Sequence, residues 1–122
     1  MLRHFRIAAI AAVVCSISSY GVQAQQDTGP FAARQASQGH SDYTKNCSGC
    51  HLDNLMGGGE VPSLASGNFM RSWGNRSTSN LYNYVRSAMP LGKGGSLSDA
   101  TYQNIIAFLL QANGATPGGT PF

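Results

Sequence analysis

A small all-α fold is what this 122-residue sequence predicts, and three features predict it. Tyr102, Ile105, Ile106, Leu109 and Leu110 recur at i, i+3, i+4, i+7 and i+8, the spacing that gathers apolar side chains on one face of a helix. Leu81, Tyr84 and Val85 begin the same pattern again. Elsewhere glycine and proline interrupt the chain, and from Leu52 to Trp73 no period-two alternation marks a strand. Only 11% of residues are charged and 15 are glycine, which suits short helices joined by loops better than a self-sufficient core.

Taken in order, Met1 to Ala24 reads as an export signal. Arg3 and Arg6 form its charged start, Ile7 to Ile17 its apolar centre, and Val22-Gln23-Ala24 its cleavage site. The apolar run is too short to span a bilayer, so cleavage after Ala24 leaves an exported, periplasmic chain with no integral membrane span. Cys15 falls inside the leader and is discarded with it. Residues 25–37 contain Gln25-Gln26 and Gly29-Pro30 without a helical apolar repeat, and are expected to form a flexible N-terminal arm. The domain proper is expected over 38–114, and the Pro/Gly/Thr-rich 115–122 as a disordered tail.

Within the domain three main helices are expected. The first covers Gln38 to Asn46, with Gly39 and Tyr43 on one face so that a second helix can approach closely at the glycine. His40 in this helix reads as a solvated imidazole. Short helical turns are expected around Asn68 to Ser72. The second main helix runs from about Thr78 to Ala88, capped by Ser77 or Thr78 and stopped by Pro90. The third starts at the N-cap Ser98, carries Asp99 in its first turn and ends at Gly114.

Charge excludes one class of partner. The chain is +3 overall, from 8 basic and 5 acidic residues, and loss of Arg3 and Arg6 with the leader leaves +1. No basic run or aromatic-interleaved patch remains to grip nucleic acid.

The chemistry sits in Cys47-Ser48-Gly49-Cys50-His51. Two cysteines two residues apart and followed at once by histidine match the attachment signature of c-type haem, in which both thiols bond to the vinyl groups and the imidazole ligates iron. A disulfide between them would close too short a loop to staple the domain. A zinc module would need a distant Cys/His pair, and His40 alone is a poor fourth ligand. A thin, glycine-rich domain also profits from a large apolar cofactor. The second axial position decides the function. Left open, it suits a haem-based enzyme or gas sensor; closed by a protein ligand, it suits electron transfer. Of Met56, Met70 and Met89, Met89 stands apart, because Pro90 follows it on the loop between the two better helices.

These residues resemble a class I cytochrome c over about Gly39 to Gly114. The resemblance is carried by Gly39, Tyr43 and Cys47-Ser48-Gly49-Cys50-His51, then Val61-Pro62-Ser63-Leu64, Met89-Pro90, and Ile105-Ile106-Ala107-Phe108-Leu109. It implies a small bundle around one haem c, covalently bound through Cys47 and Cys50 and ligated by His51 and Met89, with the first and last helices crossing at Gly39, Tyr43, Ile105 and Phe108. It further implies that a carbonyl near Pro62 accepts from the far nitrogen of His51, that Leu64 packs on the haem edge, and that Trp73 and Arg76 bind the propionates. Trp73-Gly74-Asn75-Arg76-Ser77, Leu81-Tyr82, Met89-Pro90 and Leu97-Ser98-Asp99 are similar to small cytochromes associated with quinoprotein alcohol dehydrogenases. That implies a non-enzymatic electron carrier or electron-transfer subunit, with a quinoprotein-type dehydrogenase as donor and an oxidase or another cytochrome as acceptor.

Overall fold

A computed structural model of the chain describes residues 28–122; the leader expected at Met1 to Ala24 lies outside the described residues. Five helices dominate it. They are α1 (Ala33–Asn46), the single turn α2 (Ser48–His51), α3 (Ser66–Trp73), α4 (Thr78–Ala88) and α5 (Asp99–Ala112). A two-stranded parallel sheet joins β1 (Thr28–Ala32) to β2 (Thr116–Gly118), pairing Thr28 with Thr116 and Ala32 with Gly118.

The most extensive contact between elements is α1 on α5. Gly39 makes it possible: a Cβ there would run into the Asn104 carbonyl and lie 2.9 Å from the Phe108 Cβ. Tyr43, one turn on, is buried and meets the Phe108 ring at 5.3 Å. Asn104 Nδ2 donates to Asp42 Oδ2 at 3.0 Å and fixes the register of the crossing. The expected face of Gly39, Tyr43, Ile105 and Phe108 is therefore the one that packs. His40 is exposed, as expected, with its ring against Phe108 at 5.0 Å.

Both later main helices start on serine caps. Ser77 Oγ accepts from the Asn80 amide at 3.2 Å and Ser98 Oγ from the Thr101 amide at 3.1 Å, each satisfying a helical N–H that has no partner within the helix. Helix α4 covers the expected Thr78 to Ala88, and α3 replaces the expected short turns with eight residues.

The two ends depart from expectation. Residues 25–37 were expected to be a flexible arm, but β1 occupies Thr28–Ala32 and α1 begins at Ala33. The cause is burial: Phe31 and Ala36 are fully inaccessible and pack with Ala107 of α5. Residues 115–122, expected as a disordered tail, contain β2 and then fold back. Phe122 meets the Tyr82 ring edge-on at 5.7 Å, and its amide donates to Gln35 Oε1 at 2.8 Å. Each end orders the other, a tertiary effect that local composition does not register. Among the described residues no helix is long and apolar enough to cross a membrane.

Candidate functional site

One large cavity, about 890 Å³, opens between the elements that carry the sequence motifs. Its size lies in the upper range for sites that enclose a sizeable organic group, roughly 300 to 1,000 Å³. Cys47, Cys50, His51, Pro62, Leu64, Trp73, Arg76 and Met89 all line it. All eight expected site residues are thus brought together, from α1's end, α2, the loop before α3, α3 with its C-terminal turn, and the loop after α4.

The Cys47–His51 segment owes its shape to backbone hydrogen bonds. The Cys47 amide donates to the Tyr43 carbonyl at 2.8 Å, continuing α1, and the His51 amide donates to the Cys47 carbonyl at 3.0 Å to form α2. Leu52 then breaks the helix with φ of 64°. Tyr43 braces this exit, its hydroxyl donating to the Leu52 carbonyl at 2.7 Å. Burial pushes the Tyr43 phenol up to about 12, with Cys47 and Asp53 adding to the effect. Burial likewise pushes the Cys47 thiol up to about 11, with Cys50 adding to it, so at neutral pH this thiol keeps its proton.

His51 is buried, and its Nδ1 lies 2.9 Å from the Pro62 carbonyl. A carbonyl can only accept, so Nδ1 carries a proton, and in the neutral ring this leaves the lone pair on Nε2. That is the tautomer a metal-binding imidazole needs, oriented by a partner behind it. The Pro62 loop is held in turn. The Leu64 amide donates to Leu55 at 2.7 Å, and Asn113 Nδ2, from the end of α5, donates to the Leu64 carbonyl at 2.9 Å while its Oδ1 accepts from Ser66. Gly57, with φ of 62°, lies so close to the Val61 and Pro62 carbonyls that a side chain there would collide.

On the opposite element, Met89 is the one methionine among the cavity's lining residues. Met56 and Met70 are both about half exposed, and neither lines the cavity. Met89 follows α4 directly, its amide donating to the Val85 carbonyl at 2.8 Å, and Tyr102 Oη donates to the Met89 carbonyl at 2.8 Å.

The walls are mostly apolar and carry three charged side chains, the guanidiniums of Arg71 and Arg76 and the carboxylate of Glu60. Phe69, Leu81, Val85, Ile105 and Leu109 contribute apolar wall. Trp73 packs against Tyr84 with ring centroids 5.2 Å apart, and the Arg76 guanidinium lies 5.0 Å over the Trp73 ring. Arg71, held by Asn68, is a second guanidinium on the wall. Two cations beside an apolar chamber suit a flat hydrophobic group bearing carboxylates. The donor set, an imidazole, two thiols and one thioether around one chamber of adequate size, fits haem c.

Sequence reasoning missed Arg71, Asn113 and the hydroxyl of Tyr102. Arg71 carried no motif, and the other two act through backbone atoms distant in sequence. The only trace of Tyr102 was its place on the apolar face of α5.

Fold and site together define a class I c-type cytochrome domain. The chain belongs to the family described as cytochrome c oxidase, cbb3-type, subunit III, whose family model matches residues 34–109. It is 33% identical over 86 residues to a thiosulfate dehydrogenase of Stutzerimonas stutzeri (strain A1501), a match covering 66% of this chain and 28% of that protein. Among solved structures it resembles the sulfane dehydrogenase SoxCD from Paracoccus pantotrophus, with a TM-score of 0.55 and 27% identity over 74% of this chain and 52% of that one. The chain spans little over a quarter of the first relative and about half of the second.

Proposed function

We propose that this protein carries one electron at a time on a single haem c, attached through Cys47 and Cys50 and ligated by His51 and Met89, between a dehydrogenase and an oxidase or another cytochrome outside the cytoplasm. One observation carries the reading: His51, its Nδ1 occupied by Pro62, and Met89, separated from the other methionines, line the same chamber as both thiols. Haem c bound there supplies an iron that changes oxidation state by one electron, and His/Met ligation raises its potential.

The chain's own residues do the rest. The Pro62 carbonyl keeps the proton on His51 Nδ1 and fixes the ring. Leu64, Phe69, Leu81 and Leu109 keep water from the chamber, the guanidiniums of Arg76 and Arg71 would offset the negative charge of the propionates, and the Trp73 N–H would donate to one of them. Rigid walls serve electron transfer because little has to rearrange when the charge changes.

The names of the two relatives favour a donor that oxidises a reduced sulfur compound; the loop sequence around Trp73 and Met89 favours a quinoprotein-type dehydrogenase. Stopped-flow reduction by purified members of each class separates them. The haem reading is tested by optical spectra of protein matured in an exporting host. Alkaline pyridine should report covalently attached haem c. The ferric iron–thioether band should vanish in Met89→Ala and survive in Met56→Ala and Met70→Ala. Ready carbon monoxide binding by the reduced native protein would instead support a haem-based enzyme or gas sensor with an open sixth position.

A further inference from the structure

We propose that Tyr102 is the positioning residue for the methionine side of the site, its hydroxyl holding the 89–97 loop so that Met89 stays on the iron; the inference rests on the haem reading above.

Side-chain burial holds little of the loop's tip. Leu91 to Ser96 are all exposed, Leu91 at 86%, and Gly92 and Gly95 both have φ of 76°. Its inner hydrogen bonds, Lys93 to Pro90 and Ser96 to Lys93, shape the tip without fastening it to the domain. The loop is tied back by the Met89 amide on Val85, by the Gly95 amide, which is shared between the Arg86 carbonyl and Tyr102 Oη, by the packing of Leu97 on the main cluster, and by the Tyr102 phenol. Tyr102 Oη donates to the Met89 carbonyl at 2.8 Å and accepts from the Gly95 amide at 3.0 Å and the Leu97 amide at 3.5 Å. One atom thus gathers both ends of the loop. Tyr102 is 1% exposed and sits on α5, which is braced by its contact with α1, so water competes poorly for these bonds and the anchor itself does not move. An iron–thioether bond competes with external ligands, and its strength includes the cost of releasing the loop that carries the sulfur. Loss of the phenol lowers that cost.

The test is imidazole titration of the ferric, haem-loaded full chain, followed by the iron–thioether band. Tyr102→Phe keeps the ring and removes the hydroxyl. It is expected to bind imidazole about tenfold more tightly, or more, since the bond to the Met89 carbonyl alone, at ordinary strength, accounts for about that factor. Ile106→Val trims the core away from the cavity and should lower the melting temperature while leaving the imidazole midpoint unchanged. A Tyr102→Phe protein that melts lower but binds imidazole as the wild type does would show a purely structural tyrosine and overturn the proposal. If that variant fails to take up haem, the wild type decides. Saturating imidazole should speed hydrogen exchange at the Gly95 and Leu97 amides, and unchanged protection overturns the proposal. Failure of the underlying reading looks different, since Met89→Ala would then leave both the band and the imidazole affinity as they are in the wild type.

Discussion

Replacing Gly39 with alanine should destabilise the domain although alanine is the better helix former. A Cβ at this position would collide with the Asn104 carbonyl and lie 2.9 Å from the Phe108 Cβ, and neither obstacle is the free end of a flexible side chain. Relief requires α1 and α5 to separate, which opens the contact between Tyr43, Ile105 and Phe108. Overpacking of this rigid kind belongs at the upper end of its usual range, about 3 kcal/mol. The gain in helix propensity returns about 1 kcal/mol. The net loss is therefore about 2 kcal/mol, which for a domain of this size lowers the melting temperature by roughly 10 °C. Thermal and urea unfolding of the haem-loaded protein, followed by far-UV circular dichroism, measures it. Gly67→Ala in α3 is the control, because its Cβ meets only Arg71 Nη1 at 3.5 Å. If Gly39→Ala and Gly67→Ala are equally stable, the crossing is not closed at Gly39 and the packing argument fails.

Phe31→Ala removes a fully buried ring and should cost about 3 kcal/mol in the same unfolding assay; a neutral result would return residues 25–37 to a flexible arm. Asn113→Ala strips the Leu64 carbonyl and the Ser66 amide of a partner and should cost about 2 kcal/mol, with faster hydrogen exchange at Ser66. The Tyr43 phenol binds its proton more tightly in the folded protein than in the unfolded chain, up to about 12 against 10.0. Between those values the folded state holds more protons, so stability should be complete below pH 10 and fall as pH rises toward 12, a decline that Tyr43→Phe should flatten in pH-dependent melting curves.

What was legible in the sequence had local causes. Ser77 and Ser98 announce helix starts through bonds three residues away, and Leu81, Tyr84 and Val85 or Ile105, Ile106 and Leu109 lie within two turns of each other. That the eight expected residues would meet at one cavity was legible as well, because each sits in a short motif and the cavity only has to gather the motifs. The start of α1 escaped notice because its buried face is made of Ala36 and Gly39, which carry almost no hydropathy. The sheet escaped because its strands lie at opposite ends of the described chain and neither has an apolar pattern that would predict a partner. The Pro/Gly/Thr composition of 115–122 did suggest disorder, but Phe122 overrides it by packing on Tyr82 and bonding to Gln35.

The same residues serve as core and as cavity wall, and this ties stability to the cofactor. Tyr43, Phe69, Leu81, Ile105 and Leu109 belong to the main hydrophobic cluster, and all five also line the chamber of about 890 Å³. Filled by an apolar plate, each is buried on both sides. With the chamber open each is still no more than 4% exposed, so what the plate adds is packing contact on the side that otherwise faces an open space of about 890 Å³. The close approach of Gly39 to Asn104 and Phe108 and the Phe31–Ala36–Ala107 cluster lie outside that wall and retain their contacts. A Cys47→Ser, Cys50→Ser protein without attached haem should therefore keep much of its helical signal while losing cooperative unfolding and near-UV dichroism, the marks of a collapsed chain without fixed packing. Sharp unfolding at the temperature of the haem-loaded protein would show that the cluster is self-sufficient and that the cofactor adds function alone.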